Sequence, residues 1–320
     1  LNYIFLKKIK FNFFFYFLIF SPLFYIFFII ISKVGVRKEI ILYIFYILYL
    51  LNLNSKVCKF QKNWKFIFIY PILLLNHEGA FFYLFYLILP LLFVAKKGDS
   101  KLVILQIFTL IIFSTFVMIL LYFNKGTNEH VLNICQSLGN YTPTKCEWWG
   151  PIAALNKNLL ENLNNESLSF FYLTVSYKTW IGFIFYILFS SLPIIFFVKL
   201  VKINKKNFII GKKIIFSFCA FTFIATLPLF HIAEDWSRWF SIHFHLTAYF
   251  LIFLYYTKTI SLEKSLFFNK IIFYFIRKKI IFIFILLFYS TFFHHQHFFI
   301  KDVKLEITYY KIYSKIIEKF

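Results

Sequence analysis

The chain is poor in acidic residues, arginine and cysteine. Aspartate and glutamate together number 13 against 35 lysines and arginines, and only three of those basic residues are arginines. The four cysteines form no CxxC pair and no Cys/His spacing typical of structural zinc, so we expect no metal site. The sequence has neither a nucleotide-sugar loop nor a cytosolic domain, which excludes enzymes that take a nucleotide sugar from the cytosol. No cofactor is expected.

Hydrophobic residues, in contrast, are abundant and lie in long blocks. They make up 61% of the 320 residues, whereas a soluble domain averages about 45–50%. Segments 11–31, 102–123, 179–200 and 214–232 are almost free of charge. Each is long enough to cross a hydrocarbon core of about 30 Å as a helix. The sequence therefore predicts an all-α polytopic transmembrane helical bundle, with residues 1–320 as a single integral membrane domain in the lipid bilayer.

The strong positive charge follows a membrane pattern. The formal net charge is +22, which on a soluble protein would suggest a nucleic-acid partner. Here the lysines cluster between the apolar blocks, as they do in the cytoplasmic loops of membrane proteins. We therefore expect no nucleic-acid partner, and we expect a multi-pass location in a bacterial inner (cytoplasmic) membrane.

The predicted topology has nine hydrophobic segments. Their bounds are 11–31, 39–53, 65–76, 80–95, 102–123, 179–200, 214–232, 241–256 and 280–299. With the N-terminus in the cytoplasm, alternation places four lysine-rich loops inside: 54–64, 96–101, 201–213 and 257–279. The charge-balanced loop 124–178 then becomes one sizeable extracytoplasmic loop. The basic loop 32–38 and the basic C-terminal tail 301–320 also fall outside, against the rule.

Two topologies are open for residues 65–95. Segment 65–76 would rise only about 18 Å as a helix, which is too short to span, and it ends in NHEG. A re-entrant helical hairpin with its turn near the outer surface explains this length and is the interpretation preferred here. The alternative is one long helix over 65–95 with His77 and Glu78 in its middle.

Two polar clusters are predicted to share the outer side, NHEG (76–79) and AEDWSRWF (233–240). Ionisable residues at membrane depth are costly and are often functional. The candidate catalytic acid–base residues are Glu78, His77, Asp235 and Glu234. The candidate substrate-binding residues are Arg238, whose guanidinium suits a phosphate, and the ring-stacking pair Trp236 and Trp239.

Each cluster also has a purely structural interpretation. NHEG can be a solvated turn, which Gly79 suits. Arg238 can form salt bridges with Glu234 and Asp235 along one helix face, and the tryptophans can anchor the helix at the membrane interface.

A disulfide between Cys135 and Cys146 is predicted in the outer loop. The two residues are 11 apart, and an oxidising outer face favours a loop-closing bond. Such a bond would stabilise the loop by roughly 3 kcal/mol. The alternative is two free thiols.

The layout resembles that of bacterial multi-pass membrane proteins of surface-polysaccharide synthesis, which are similar in architecture to O-antigen and capsule polymerases. The resemblance rests on a short apolar segment ending in NHEG, an outer loop with ICQSL and a second cysteine, and DWSRW opening a late helix. It implies an enzyme that polymerises or transfers saccharide units from a polyprenyl-diphosphate carrier at the outer face, with Arg238 holding the diphosphate. Typical polymerases have more outer arginines and a larger late outer loop than this chain.

Two other functions remain open from the sequence. One is a transporter or flippase of a polysaccharide precursor, which would need buried charge and internal repeats. The other is a non-enzymatic membrane subunit whose charged clusters only anchor loops.

Overall fold

The computed structural model describes most of the apolar segments and few of the residues between them. The described residues are 18, 21–22, 39–53, 63–95, 100–124, 126–138, 156, 177–203, 212–232, 236–262, 278–291, 293–294 and 306–307. Their α-helices are α1 Glu39–Leu53, α2 Trp64–Asn76, α3 Phe85–Val94, α4 Ser100–Phe123, α5 Asn128–Leu138, α6 Tyr177–Leu200, α7 Lys212–Ile232, α8 Trp236–Tyr256 and α9 Lys279–Thr291. A 3-10 helix, Glu78–Tyr83, precedes α3. The prediction of an all-α fold is confirmed for this part of the chain.

Two short antiparallel strand pairs accompany the helices. Strand β1 (Val201–Ile203) pairs with β2 (Ile260–Leu262), and β3 (Phe293–His294) pairs with β4 (Glu306–Ile307). The prediction of a continuous hydrophobic segment over 280–299 was wrong in its extent, because α9 ends at Thr291 and the chain continues as β3. Strand β3 begins with Phe293, a residue type that suits strands, and its backbone pairs with that of β4.

The chain turns back at His77, as the hairpin interpretation expects. His77 has an extended backbone, with φ −153° and ψ 90°, between α2 and the 3-10 helix. The ring of Tyr49 lies 5.5 Å from the ring of Phe66, and its hydroxyl donates to the carbonyl of Leu87 over 2.7 Å. In one straight helix Phe66 and Leu87 would lie about 31 Å apart. The single long helix is therefore excluded, and α2 and α3 both lie beside α1.

Helices α1, α3 and α8 run in the same direction. At one end of the bundle Glu39 of α1 and Trp239 of α8 both contact His77. Further along, the ring of Phe93 on α3 packs against that of Phe250 on α8, with centroids 5.4 Å apart. We call the end that holds His77 the His77 end.

The helix ends at the opposite side of the bundle lead into predicted cytoplasmic loops. The β1–β2 pair brings the starts of loops 201–213 and 257–279 together, with Lys202 opposite Ser261. Asn52, at the end of α1, donates to Asn63, at the start of α2, over 2.7 Å. The described starts of these loops therefore lie at the end of the helices away from His77.

Large apolar side chains cover much of the outer surface of the helices. On α4, Ile104 is 65% exposed and Phe108 is 61% exposed, and on α9 Phe284 is 68% exposed. Among the described residues, Ser100–Phe123 is the one helix that is long and apolar enough to cross a membrane, and the other apolar helical stretches run 10–17 residues. Segment 11–31 lies almost wholly outside the described residues.

Candidate functional site

The two predicted outer clusters meet in space although about 160 residues separate them. The imidazole of His77 stacks on the indole of Trp239, with centroids 6.0 Å apart and planes 29° apart. The hydroxyl of Tyr83, on the 3-10 helix, donates to the carbonyl of Trp239 over 2.9 Å. Gly79 lies against the same indole, so closely that a Cβ there would be 3.2 Å from Trp239 Cη2. Two of the sequence-predicted residues, His77 and Trp239, are thus brought together.

A third element, the first turn of α1, contributes a carboxylate to this cluster. Glu39 is completely buried, and its Oε1 lies 3.7 Å from Nε2 of His77, which is 4% exposed. Moving a carboxylate out of water costs several kcal/mol unless a charged or hydrogen-bonding partner compensates. Glu39, His77 and Trp239 are hereafter the Glu39 site.

Glu39 is not among the site residues that were predicted from the sequence. The available signal was that Glu39 is the one acid in segment 39–53, at the start of an apolar run. An acid in that position belongs to the same class of costly residue as Glu78.

Glu78 itself is exposed, whereas its neighbours His77 and Gly79 are buried. His77 precedes the 3-10 helix with an extended backbone, and Glu78 is the first residue of that helix; the histidine is buried in the bundle and the glutamate is exposed. The carboxylate beside His77 is therefore that of Glu39. A catalytic role for Glu78 stays a prediction.

The other predicted site residues are only partly described. Trp236 and Arg238 lie in the first turn of α8, one turn or less from Trp239. Glu234 and Asp235 lie outside the described residues. Cys135, on α5, is disulfide-bonded, but Cys146 lies outside the described residues, so their pairing stays a prediction.

Buried polar side chains continue from the Glu39 site into the bundle. The ring of Tyr43, one turn after Glu39, stacks on the imidazole of His245 with centroids 4.7 Å apart and planes 15° apart. His245 Nδ1 lies 2.5 Å from the carbonyl of Ser241. Because a carbonyl only accepts, Nδ1 carries the proton of this imidazole.

A second polar cluster surrounds the hydroxyl of Tyr86, and we call it the Tyr86 cluster. This oxygen lies 2.6 Å from His243 Nδ1, 2.6 Å from Thr247 Oγ1 and 3.3 Å from Thr222 Oγ1. A phenol has one hydrogen to donate, so the other groups must supply the remaining hydrogens. The cluster links α3, α7 and α8 at the middle of the bundle.

Within the described ranges, no three His, Cys, Asp or Glu residues converge closely enough to hold a metal ion.

No family model, no curated protein and no solved structure matches the chain. The chemistry of the site is therefore the guide to function. A buried imidazole next to a carboxylate can move a proton, and an indole face can pack on a sugar ring or another flat apolar group.

Proposed function

We propose that the chain is a multi-pass protein of a bacterial inner membrane that transfers or polymerises lipid-linked saccharide units at its outer face. The observation that carries this proposal is the meeting of His77 and Trp239 beside a buried carboxylate at one end of the helical bundle. That end is the one that lysine counting assigns to the outer side.

The distribution of side chains supports a membrane setting. Isoleucine, leucine and phenylalanine face outward along several helices, while tyrosine hydroxyls lie inside, including those of Tyr49, Tyr70 and Tyr86. Soluble monomers rarely expose apolar surface in large continuous patches. A lipid surrounding would cover these patches and would leave the polar groups to bond one another.

The start of α8 supports an anionic substrate. A helix N-terminus presents backbone N–H groups and a partial positive charge to phosphate, and the first turn of α8 contains Arg238. A guanidinium can bind two phosphate oxygens at once. A diphosphate bound at this helix start would lie within one turn of Trp239, whose indole stacks on the imidazole of His77.

The experiment that tests this function is replacement of Arg238 in the native strain. We expect Arg238→Ala to abolish long-chain surface polysaccharide, and Arg238→Lys to restore only part of it because lysine loses the bidentate geometry. Glycan length is measured on gels, and the amount of full-length protein in the membrane fraction is measured in parallel. Arg277→Ala, in a predicted cytoplasmic loop, is the matched control.

Long glycan chains at normal length in Arg238→Ala cells would overturn the proposal. Loss of chains in strict proportion to loss of protein from the membrane would instead favour a non-enzymatic subunit.

Transport of the lipid-linked precursor is the second candidate. The observation in its favour is the Tyr86 cluster, because polar groups inside a membrane bundle often line a substrate or ion path. The two functions differ in the product that accumulates in the variant strain. A defective polymerase leaves single saccharide units at the cell surface, whereas a defective transporter leaves none there.

A further inference from the structure

We infer that His77 is the group that accepts the proton during saccharide transfer and that Glu39 is the positioning residue that orients its imidazole and stabilises the imidazolium that forms. This inference rests on the proposed function and assigns its acid–base chemistry to a pair that includes a residue on α1. The acid–base candidates predicted from the sequence were His77, Glu78, Glu234 and Asp235.

Geometry selects Glu39 over Glu78 as the partner of His77. The Oε1 atom of Glu39 lies 3.7 Å from Nε2 of His77, whereas Glu78 is exposed on the neighbouring turn. A carboxylate beside one ring nitrogen fixes the orientation of a histidine and stabilises the imidazolium that forms when the other nitrogen takes a proton. The ring nitrogen away from Glu39 is Nδ1.

The surroundings of His77 keep the imidazole in one orientation. Its face packs on Trp239, and its Cε1 atom would lie 3.1 Å from a Cβ at position 79. Glycine at 79 therefore leaves just enough room for the ring and the indole together. His77 also lies directly beside exposed Glu78 and Asn76, so the ring is near the surface of the His77 end although it is itself buried.

The reaction is written with its atoms balanced. The hydroxyl oxygen of an acceptor saccharide attacks C1 of the donor saccharide, and a new C1–O bond forms. The bond between C1 and the diphosphate oxygen breaks, and its electron pair leaves with the polyprenyl diphosphate. The proton of the attacking hydroxyl passes to Nδ1 of His77, and the imidazolium that results is stabilised by the carboxylate of Glu39 before the proton is released to water.

Two substitutions at Glu39 separate charge from shape. Glu39→Gln keeps the size of the side chain and removes its charge, whereas Glu39→Asp keeps the charge and removes one methylene. If Glu39 only fills space, Glu39→Gln is the milder change. If its negative charge stabilises the imidazolium of His77, Glu39→Asp is the milder change.

The assay uses full-length protein in membranes of the native strain, whose own lipid-linked saccharide precursor is labelled by growth on a radioactive sugar. We expect Glu39→Gln and His77→Gln to slow chain elongation by about 100-fold or more, the usual range for loss of acid–base catalysis. Glu39→Asp should retain most of the rate at equal protein level. Glu129→Gln, which neutralises an exposed acid on α5, is the matched control and should elongate at the parental rate.

Two results would overturn the inference. One is elongation by Glu39→Gln at the parental rate, and the other is a milder effect of Glu39→Gln than of Glu39→Asp at equal protein level. The Arg238→Ala strain distinguishes this failure from failure of the proposed function. Short chains with Arg238→Ala and normal chains with Glu39→Gln remove only the acid–base assignment, whereas normal chains in both remove the function itself.

Discussion

Substitution of Gly79 by alanine tests the packing of the Glu39 site directly. A Cβ at position 79 would lie 3.1 Å from His77 Cε1, 3.2 Å from Trp239 Cη2 and 3.3 Å from Trp239 Cζ3. Ordinary carbon–carbon contacts are about 3.5–4.0 Å, so three contacts at once are too short. The imidazole and the indole are stacked on each other, and each limits the movement of the other.

The expected cost follows from two opposing effects. Overpacking of a filled site costs about 1–3 kcal/mol, while replacing glycine stabilises by about 0.4–1 kcal/mol through the unfolded state. We expect Gly79→Ala to lower the free energy of unfolding by about 1–2 kcal/mol. The measurement is unfolding by SDS titration of full-length protein in mixed micelles.

A second substitution identifies the source of that cost. Trp239→Phe removes the ring atoms that a Cβ at 79 would meet, so the double variant should lose at least about 0.5 kcal/mol less than the sum of the single variants. Trp64→Phe, at the far end of α2, is the matched control, and its effect should add to that of Gly79→Ala. Unchanged or increased stability in Gly79→Ala, or simple additivity with Trp239→Phe, would refute the packing argument.

Two further predictions concern sidedness and the Tyr86 cluster. In intact cells a membrane-impermeant maleimide should label Glu78→Cys. Lys202→Cys, which is exposed at the opposite end, should react with it only after permeabilisation. Equal labelling of both variants in intact cells would contradict a membrane-spanning bundle. Tyr86→Phe should lower the free energy of unfolding by about 1–3 kcal/mol, because the buried partners of the hydroxyl lose a hydrogen bond. Tyr122→Phe, at an exposed position, is the control and should change the free energy of unfolding by less than about 0.5 kcal/mol. Equal effects of the two substitutions would show that the Tyr86 cluster does not stabilise the bundle.

Several helices could be predicted closely from the sequence because the apolar runs end at polar or charged residues. Others could not: α3 begins five residues after the predicted start at 80, α8 begins five residues before the predicted start at 241, and α5 lies in a segment predicted as a loop. The predicted segment 39–53 has the bounds of α1, and 65–76, 102–123 and 214–232 each begin within two residues of α2, α4 and α7. A long apolar run has few ways to satisfy its backbone other than a helix. The break at NHEG followed from length, because neither half of 65–95 is long enough to span.

The end of the last segment could not be predicted in this way. Hydrophobicity alone treats the phenylalanines after Thr291 as more of the helix. The strand that forms there depends on a partner at Glu306–Ile307, and pairing with a distant segment leaves no signal in a local window.

The sequence by itself determined where several apolar helices begin, and it led to the prediction that His77 and Trp239 lie on one side, because lysine counting orders the predicted segments. Only the tertiary structure decided that their side chains touch and that the acid beside His77 is Glu39. Side-chain pairing depends on how α1 packs against α2 and α3, and contacts between distant segments are set by the rotation of each helix about its axis. That rotation decides whether an acid is buried against a histidine, like Glu39, or exposed, like Glu78.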